Sequence, residues 1–164
     1  MGLQPTPLDT AATLPRMKWF FLIVPIILSS CTSLKTEPTP GVSLAGKNLF
    51  YVERHPEEDW GFHQMIADEM SMMGYKASAG EPNQGPAGID AIVIYDDKWS
   101  WDLSPWMYGL DLRVLDAKTR SLIVKTSNRR GSLFRRNPKQ MAQETLRATF
   151  GLPKKFTVWV PSKE

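Results

Sequence analysis

The sequence is poor in the groups on which much protein chemistry is built. It holds one cysteine and two histidines in 164 residues. A single thiol closes no internal disulfide and builds no thiolate metal cluster. No G-x-S-x-G nucleophile elbow occurs, and neither a P-loop nor a dinucleotide G-x-G-x-x-G is present. No cofactor is therefore expected. Charge of one sign is also lacking. The formal balance of +3 permits contact with anionic lipid or glycan without demanding nucleic acid. No apolar run reaches the roughly 20 residues that a membrane-crossing helix needs. Hydrophobic residues at 42% and charged residues at 23% are ordinary for a globular protein, and the length suits one domain.

What is there begins with the stretch "WFFLIVPIIL", residues 19–28, which is ten residues long and contains Pro25. That length fits the hydrophobic region of an export signal, and Arg16 and Lys18 precede it as a positive flank. Leu28-Ser29-Ser30-Cys31 follows directly. This resembles the lipobox of bacterial lipoproteins, in which an aliphatic residue and two small residues precede a cysteine. The resemblance implies that the Cys31 thiol takes a diacylglyceryl group, that a signal peptidase cuts before Cys31, and that the new amino group is acylated. Asp9, Pro5, Pro7 and Pro15 sit awkwardly ahead of the positive flank and make Met17 the more natural start. Residues 1–30 are accordingly expected to be absent from the working protein. Thr32, where an aspartate would imply retention in the inner membrane, implies sorting to the outer membrane, facing the periplasm. Two or three acyl chains hold a protein on a bilayer without any spanning helix. A chain exported in this way does not meet nucleic acid.

Residues 31–46 read as a lipidated cysteine and a flexible tether. "TSLKTEPTPGVSLAG" has Pro38, Pro40 and Gly41 among Ser and Thr and no apolar period. Fully extended, it would reach about 50 Å. Residues 47–164 read as a single domain. Strands are expected at 48–55, 75–79, 89–95, 106–116 and 121–127, with a further edge strand at 155–160. The apolar run Ala91 to Ile94 marks a central strand covered on both faces. Phe62, Met65, Ile66, Met70 and Met73 recur at helical spacing, which predicts a helix over 57–73 with Glu57, Glu58 and Asp59 in its first turn. Asn137-Pro138 opens a second helix that Gly151 ends. The order gives an α+β class: a mostly antiparallel sheet of about four to five strands with two helices on one face. "LDLRVLDAKTRSLIV", residues 110–124, together with the strand–helix–meander order, remotely resembles the periplasmic domains of the penicillin-binding-protein activators and the curli secretion lipoprotein.

Three clusters are candidates for chemistry. "YDDKWSWD" brings Asp96, Asp97 and Asp102 around Trp99 and Trp101, with Trp106 close behind. The tryptophans could cover a sheet face, or they could stack on sugars or a partner while the acids accept hydrogen bonds. Paired carboxylates could also do acid–base work, although neighbours on a strand point to opposite faces. His55 and His63 with Asp59 could be imagined on a metal, but two histidines near a helix start are more often solvated, and no metal is expected. "NRRGSLFRR" sets Arg129, Arg130, Arg135 and Arg136 around Leu133 and Phe134, as in a basic hairpin tip. Such a tip either touches anionic headgroups or simply guards an edge. The reading that takes in most of these residues is a non-catalytic, lipid-anchored accessory protein of the cell envelope with a protein partner. Its rivals are a binder of peptidoglycan or polysaccharide using Trp99 and Trp101, and an envelope hydrolase using Asp96, Asp97 and Asp102.

Overall fold

The computed structural model describes Gly2 and residues 32–153. Cys31, the export signal expected within residues 1–30 and the strand expected at 155–160 lie outside the described residues. The elements are β1 (Ser33–Pro38), β2 (Leu49–Glu53), α1 (Phe62–Met72), β3 (Lys76–Gly80), β4 (Ala91–Asp102), β5 (Ser104–Asp116), β6 (Leu122–Arg129), a 3-10 turn (Ser132–Phe134) and α2 (Pro138–Thr149). One sheet holds all six strands in the order β1-β6-β5-β4-β2-β3.

The α+β class stands, but the sheet is mixed and larger than expected. β2 pairs in parallel with both β3 and β4, while β4, β5, β6 and β1 pair antiparallel in succession. The parallel half follows from α1. That helix carries the chain back along the sheet, so β3 enters in the same direction as β2. Both helices lie on one face and touch each other, with α1 over β2 and β3 and α2 over β5, β6 and β1. Phe62, Ile66 and Met70 of α1 and Met141, Ala142 and Leu146 of α2 meet Phe50, Val52, Val93, Leu110, Leu112 and Val114 of the strands. On the opposite face Tyr51 and Ile92 are also buried. There the loop 81–88 folds back, Tyr51 donates a hydrogen bond to the Glu81 carbonyl at 2.8 Å, and a Cβ on Gly85 would stand 3.0 Å from the Tyr51 ring.

Part of the segment read as a tether, Ser33–Pro38, is the first strand. β1 pairs with β6 from Ser33 opposite Arg129 to Pro38 opposite Val124. The Thr36 and Thr126 hydroxyls meet at 3.2 Å, and Thr126 accepts from Thr149 of α2 at 2.9 Å. Proline is tolerated at such an edge because no further strand needs its missing amide. A second correction concerns residues 96–105, which lie between the strands expected at 89–95 and 106–116 and read from sequence as a turn or wide hairpin loop. The β4–β5 ladder runs through it to Asp102 opposite Ser104, leaving Leu103 alone at the turn. The ladder slips once, between Lys98 and Trp99, so that Tyr108 is the extra residue of a bulge. β6 ends at Arg129, opposite Gly109, so residues 99–107 leave the sheet as a two-stranded arm. The arginine-rich segment is not a hairpin tip. It is the end of β6 followed by the 3-10 turn.

α1 starts at Phe62 rather than 57, with Gly61 in the left-handed region at φ 81°. α2 starts as expected. The Asn137 side chain accepts the Gln140 amide at 2.8 Å, and Pro138 occupies the first turn. Among the described residues no helix is long and apolar enough to cross a membrane.

Two measurements check this architecture. Amide exchange over 33–38 is expected to be slowed as in the rest of the sheet, whereas a free tether would exchange at the rate of unfolded chain. Leu112→Ala, at a fully buried position, is expected to cost about 2–5 kcal/mol in denaturant unfolding.

Candidate functional site

Where β2 ends and the arm begins, the sheet leaves a corner that residues 55–61 close. The corner is a cleft of about 400 Å³ lined by His55, Glu57, Glu58, Asp59, Trp60, Asp96, Asp97 and Trp99. Among the described residues no lysine or arginine lines it.

Its organising group is Glu58, whose carboxylate is almost wholly buried, at 3% exposure. One oxygen accepts the backbone amides of Trp60 at 2.7 Å and Phe62 at 3.0 Å. The Phe62 amide is the first of α1 and has no partner within the helix, so Glu58 caps the helix from outside. The other oxygen takes the Tyr95 hydroxyl at 3.1 Å and His63 Nδ1 at 2.6 Å. A carboxylate only accepts, so that histidine nitrogen carries the proton. Burial pushes the carboxyl pKa up, but the four donors, led by the Phe62 amide, overcome it and hold the group at about 2. Tyr95 is raised instead, chiefly by burial. It receives the His55 amide at 3.3 Å and packs edge-on against Phe62 at 5.3 Å.

Two half-exposed indoles form the wall. Trp60 stacks on Phe62 at 4.8 Å and meets Trp99 edge-on at 5.5 Å. The strand period of two places Tyr95, Asp97, Trp99 and Trp101 on one face of β4 and Asp96 and Lys98 on the other. Asp97 accepts the Trp99 indole N–H at 2.6 Å. Asp96 binds Lys98 at 2.6 Å, and behind it Asp111 pairs with Arg129 at 2.7 Å. Burial raises the Asp111 carboxyl and its bonds to Arg129 and Ser127 outweigh that, leaving it below its usual value.

The structure therefore gathers Asp96, Asp97 and Trp99 at the corner and keeps Trp101 and Trp106 away from it. Trp101 is 76% exposed on the arm. The Asp102 backbone pairs with Ser104 beside the tip. Trp106 lies under the Arg135 guanidinium, 4.9 Å from the ring centroid. Of the other arginines, Arg130 and Arg136 both bond Glu144. His55 and His63 do not converge on a metal: among the described residues no set of three or more His, Cys, Asp or Glu could hold one. Sequence reasoning missed Glu58 as a buried hub, because an acid run before a helix reads as dipole compensation. The only hint was the donor-rich company of Trp60-Gly61-Phe62 and His63.

No family model and no curated protein matches this chain. Among solved structures it is similar to a PelC dodecamer from Paraburkholderia phytofirmans, with 11% identity, a TM-score of 0.53, and coverage of 71% of this chain and 98% of that one. A second crystal form, of a PelC variant dodecamer, gives 10% identity and the same TM-score, covering 72% and 97%. A PDZ domain protein from Parabacteroides distasonis gives a TM-score of 0.47 at 10% identity, over 72% of this chain and 34% of that one. At these identities the likeness is one of fold.

Glu58 sits below the usual 4.5, so its contribution is complete above about pH 4.5 and is lost as pH falls towards 2. Glu58→Gln keeps the shape but turns an amide N–H against a donor. It is expected to cost about 2–4 kcal/mol at pH 7 and to flatten the fall in stability below pH 4.5 in acid titrations followed by circular dichroism.

Proposed function

We propose that this chain is a lipid-anchored, non-catalytic accessory protein of the cell envelope, and that the acidic corner is its binding site. The observation that carries the anchor is Leu28-Ser29-Ser30-Cys31 behind a short apolar stretch and a positive flank. The folded strand that starts at Ser33 is consistent with a domain that begins immediately after the modified residue.

The corner supports binding rather than hydrolysis. A carboxyl held at about 2 keeps its negative charge at neutral pH and is a poor proton carrier. Asp96 and Asp97 stand on opposite faces of β4, each tied to a neighbour. What remains is a cleft lined by carboxylates with two aromatic faces. That combination suits a lysine- or arginine-bearing segment of a protein partner, held by charge and by cation–π contact. A second reading rests on Trp60, Trp99 and Trp101, which could stack on the rings of a cell-wall glycan.

Labelled palmitate is expected to enter the wild type and not Cys31→Ser; equal labelling would contradict the anchor. Asp59→Asn with Asp97→Asn is expected to weaken partner binding at low salt and to matter less at high salt. Retention on purified sacculi that survives this double change and is lost in Trp99→Ala would favour the glycan reading.

A further inference from the structure

Five observations fall at one end of the domain. Leu103, at the tip of the arm, is 98% exposed, and Trp101 beside it is 76% exposed. Leu103 also holds the left-handed region at φ 58°. A branched apolar residue is doubly unfavourable there: glycine or asparagine would fit the backbone better, and either would suit water better. Beside the arm, the 3-10 turn exposes Leu133 at 87%. Arg130 N–H bonds the Tyr108 carbonyl at 2.8 Å and Arg135 covers Trp106, which fixes that turn along the arm's flank. Finally, Ser33 pairs with Arg129, and Arg129 with Gly109, so β1 begins level with the root of the arm.

Chain length turns this arrangement into a constraint. Cys31 lies two residues before Ser33 and so no more than about 7 Å from that level. Leu103 lies five residues beyond Lys98, which pairs with Gly109, so the tip stands about 17 Å past the same level. The arm is longer than the leash. If acyl chains on Cys31 hold that end at a bilayer, the tip passes through a headgroup layer about 7 Å deep. The acidic corner, back at Asp96 and Asp97, stays on the water side.

We propose that the β4–β5 tip, with Trp101 and Leu103, inserts into the lipid interface beside the anchor and sets the tilt of the domain on the membrane. The inference rests on the anchored reading above. It assigns the exposed apolar tip to lipid rather than to a protein, a glycan or a second copy. Tryptophan suits the headgroup level, and leucine one position beyond suits the first methylenes.

The test uses the full-length lipoprotein in vesicles of phosphatidylethanolamine with a minor share of phosphatidylglycerol, carrying brominated acyl chains. With Cys31 acylated, Leu103→Cys supplies the one free thiol for an environment-sensitive dye, and Lys118→Cys, on the β5–β6 turn at the other end, supplies the control. The dye at position 103 is expected to be quenched by the lipid bromines and shielded from aqueous iodide, and the dye at 118 to behave in the opposite way. A chain that floats with vesicles while both dyes respond only to iodide overturns the insertion and leaves the anchor standing. A chain that stays in solution, uncut and unacylated, overturns the anchored reading and the insertion with it. Shielding from both quenchers would mean a protein covers the tip and would also overturn the proposal. Leu103→Asn is expected to raise the melting temperature while abolishing the part of vesicle binding that remains in Cys31→Ser, a pairing that a purely structural tip would not give.

Discussion

The β4–β5 ladder is the constraint on which the other parts depend. It runs from Ala91 opposite Asp116 to Asp102 opposite Ser104. On one side β4 receives β2 in parallel, and on the other β5 receives β6 antiparallel. Val93, Leu110, Leu112 and Val114 of this pair sit in the same buried cluster as the apolar residues of both helices. Where its neighbours stop, the same ladder becomes the arm. One pair of strands therefore acts as core at one end and as a projecting finger at the other. The bulge at Tyr108 falls at the junction between the two.

Glu58 does for the corner what the ladder does for the sheet. Two backbone amides and two side chains, drawn from the loop, α1 and β4, converge on a single carboxylate. Removing any donor leaves the others facing a charge that has lost part of its compensation. That convergence fixes Trp60 against Trp99 and holds the cleft open beside them. Further carboxylates, those of Glu57, Asp59, Asp96 and Asp97, line the cleft beside this satisfied charge.

Much of the domain was legible where local signals act alone. Asn137-Pro138 announces α2, the run at 91–94 announces a central strand, and 110–124 reads as a hairpin; each of these depends on neighbours in sequence. β1 was not legible, because Thr, Lys and Pro give it no apolar period and its pairing comes from β6, far along the chain. The parallel partnership of β2 was hidden for the same reason. The arm looked like a loop because Asp, Ser and Pro are common in turns, yet cross-strand pairing keeps them extended. At the site, Asp96, Asp97 and Trp99 were picked out by their unusual company, whereas Glu58 was passed over, since an acid run before a helix reads as solvated dipole compensation. The arginines were legible as a cluster, but their carboxylate partners, Asp111 and Glu144, come from other elements.

The pairing of β1 with β6 has a bearing on how the protein comes to exist. The first strand finds its partner almost a hundred residues later, Ser33 against Arg129. Contacts so distant in sequence form slowly, because a large loop must close before they return any energy. During synthesis the opening segment has nothing to pair with until nearly the whole domain has been made. A chain with this wiring completes its sheet only when its far end has been made.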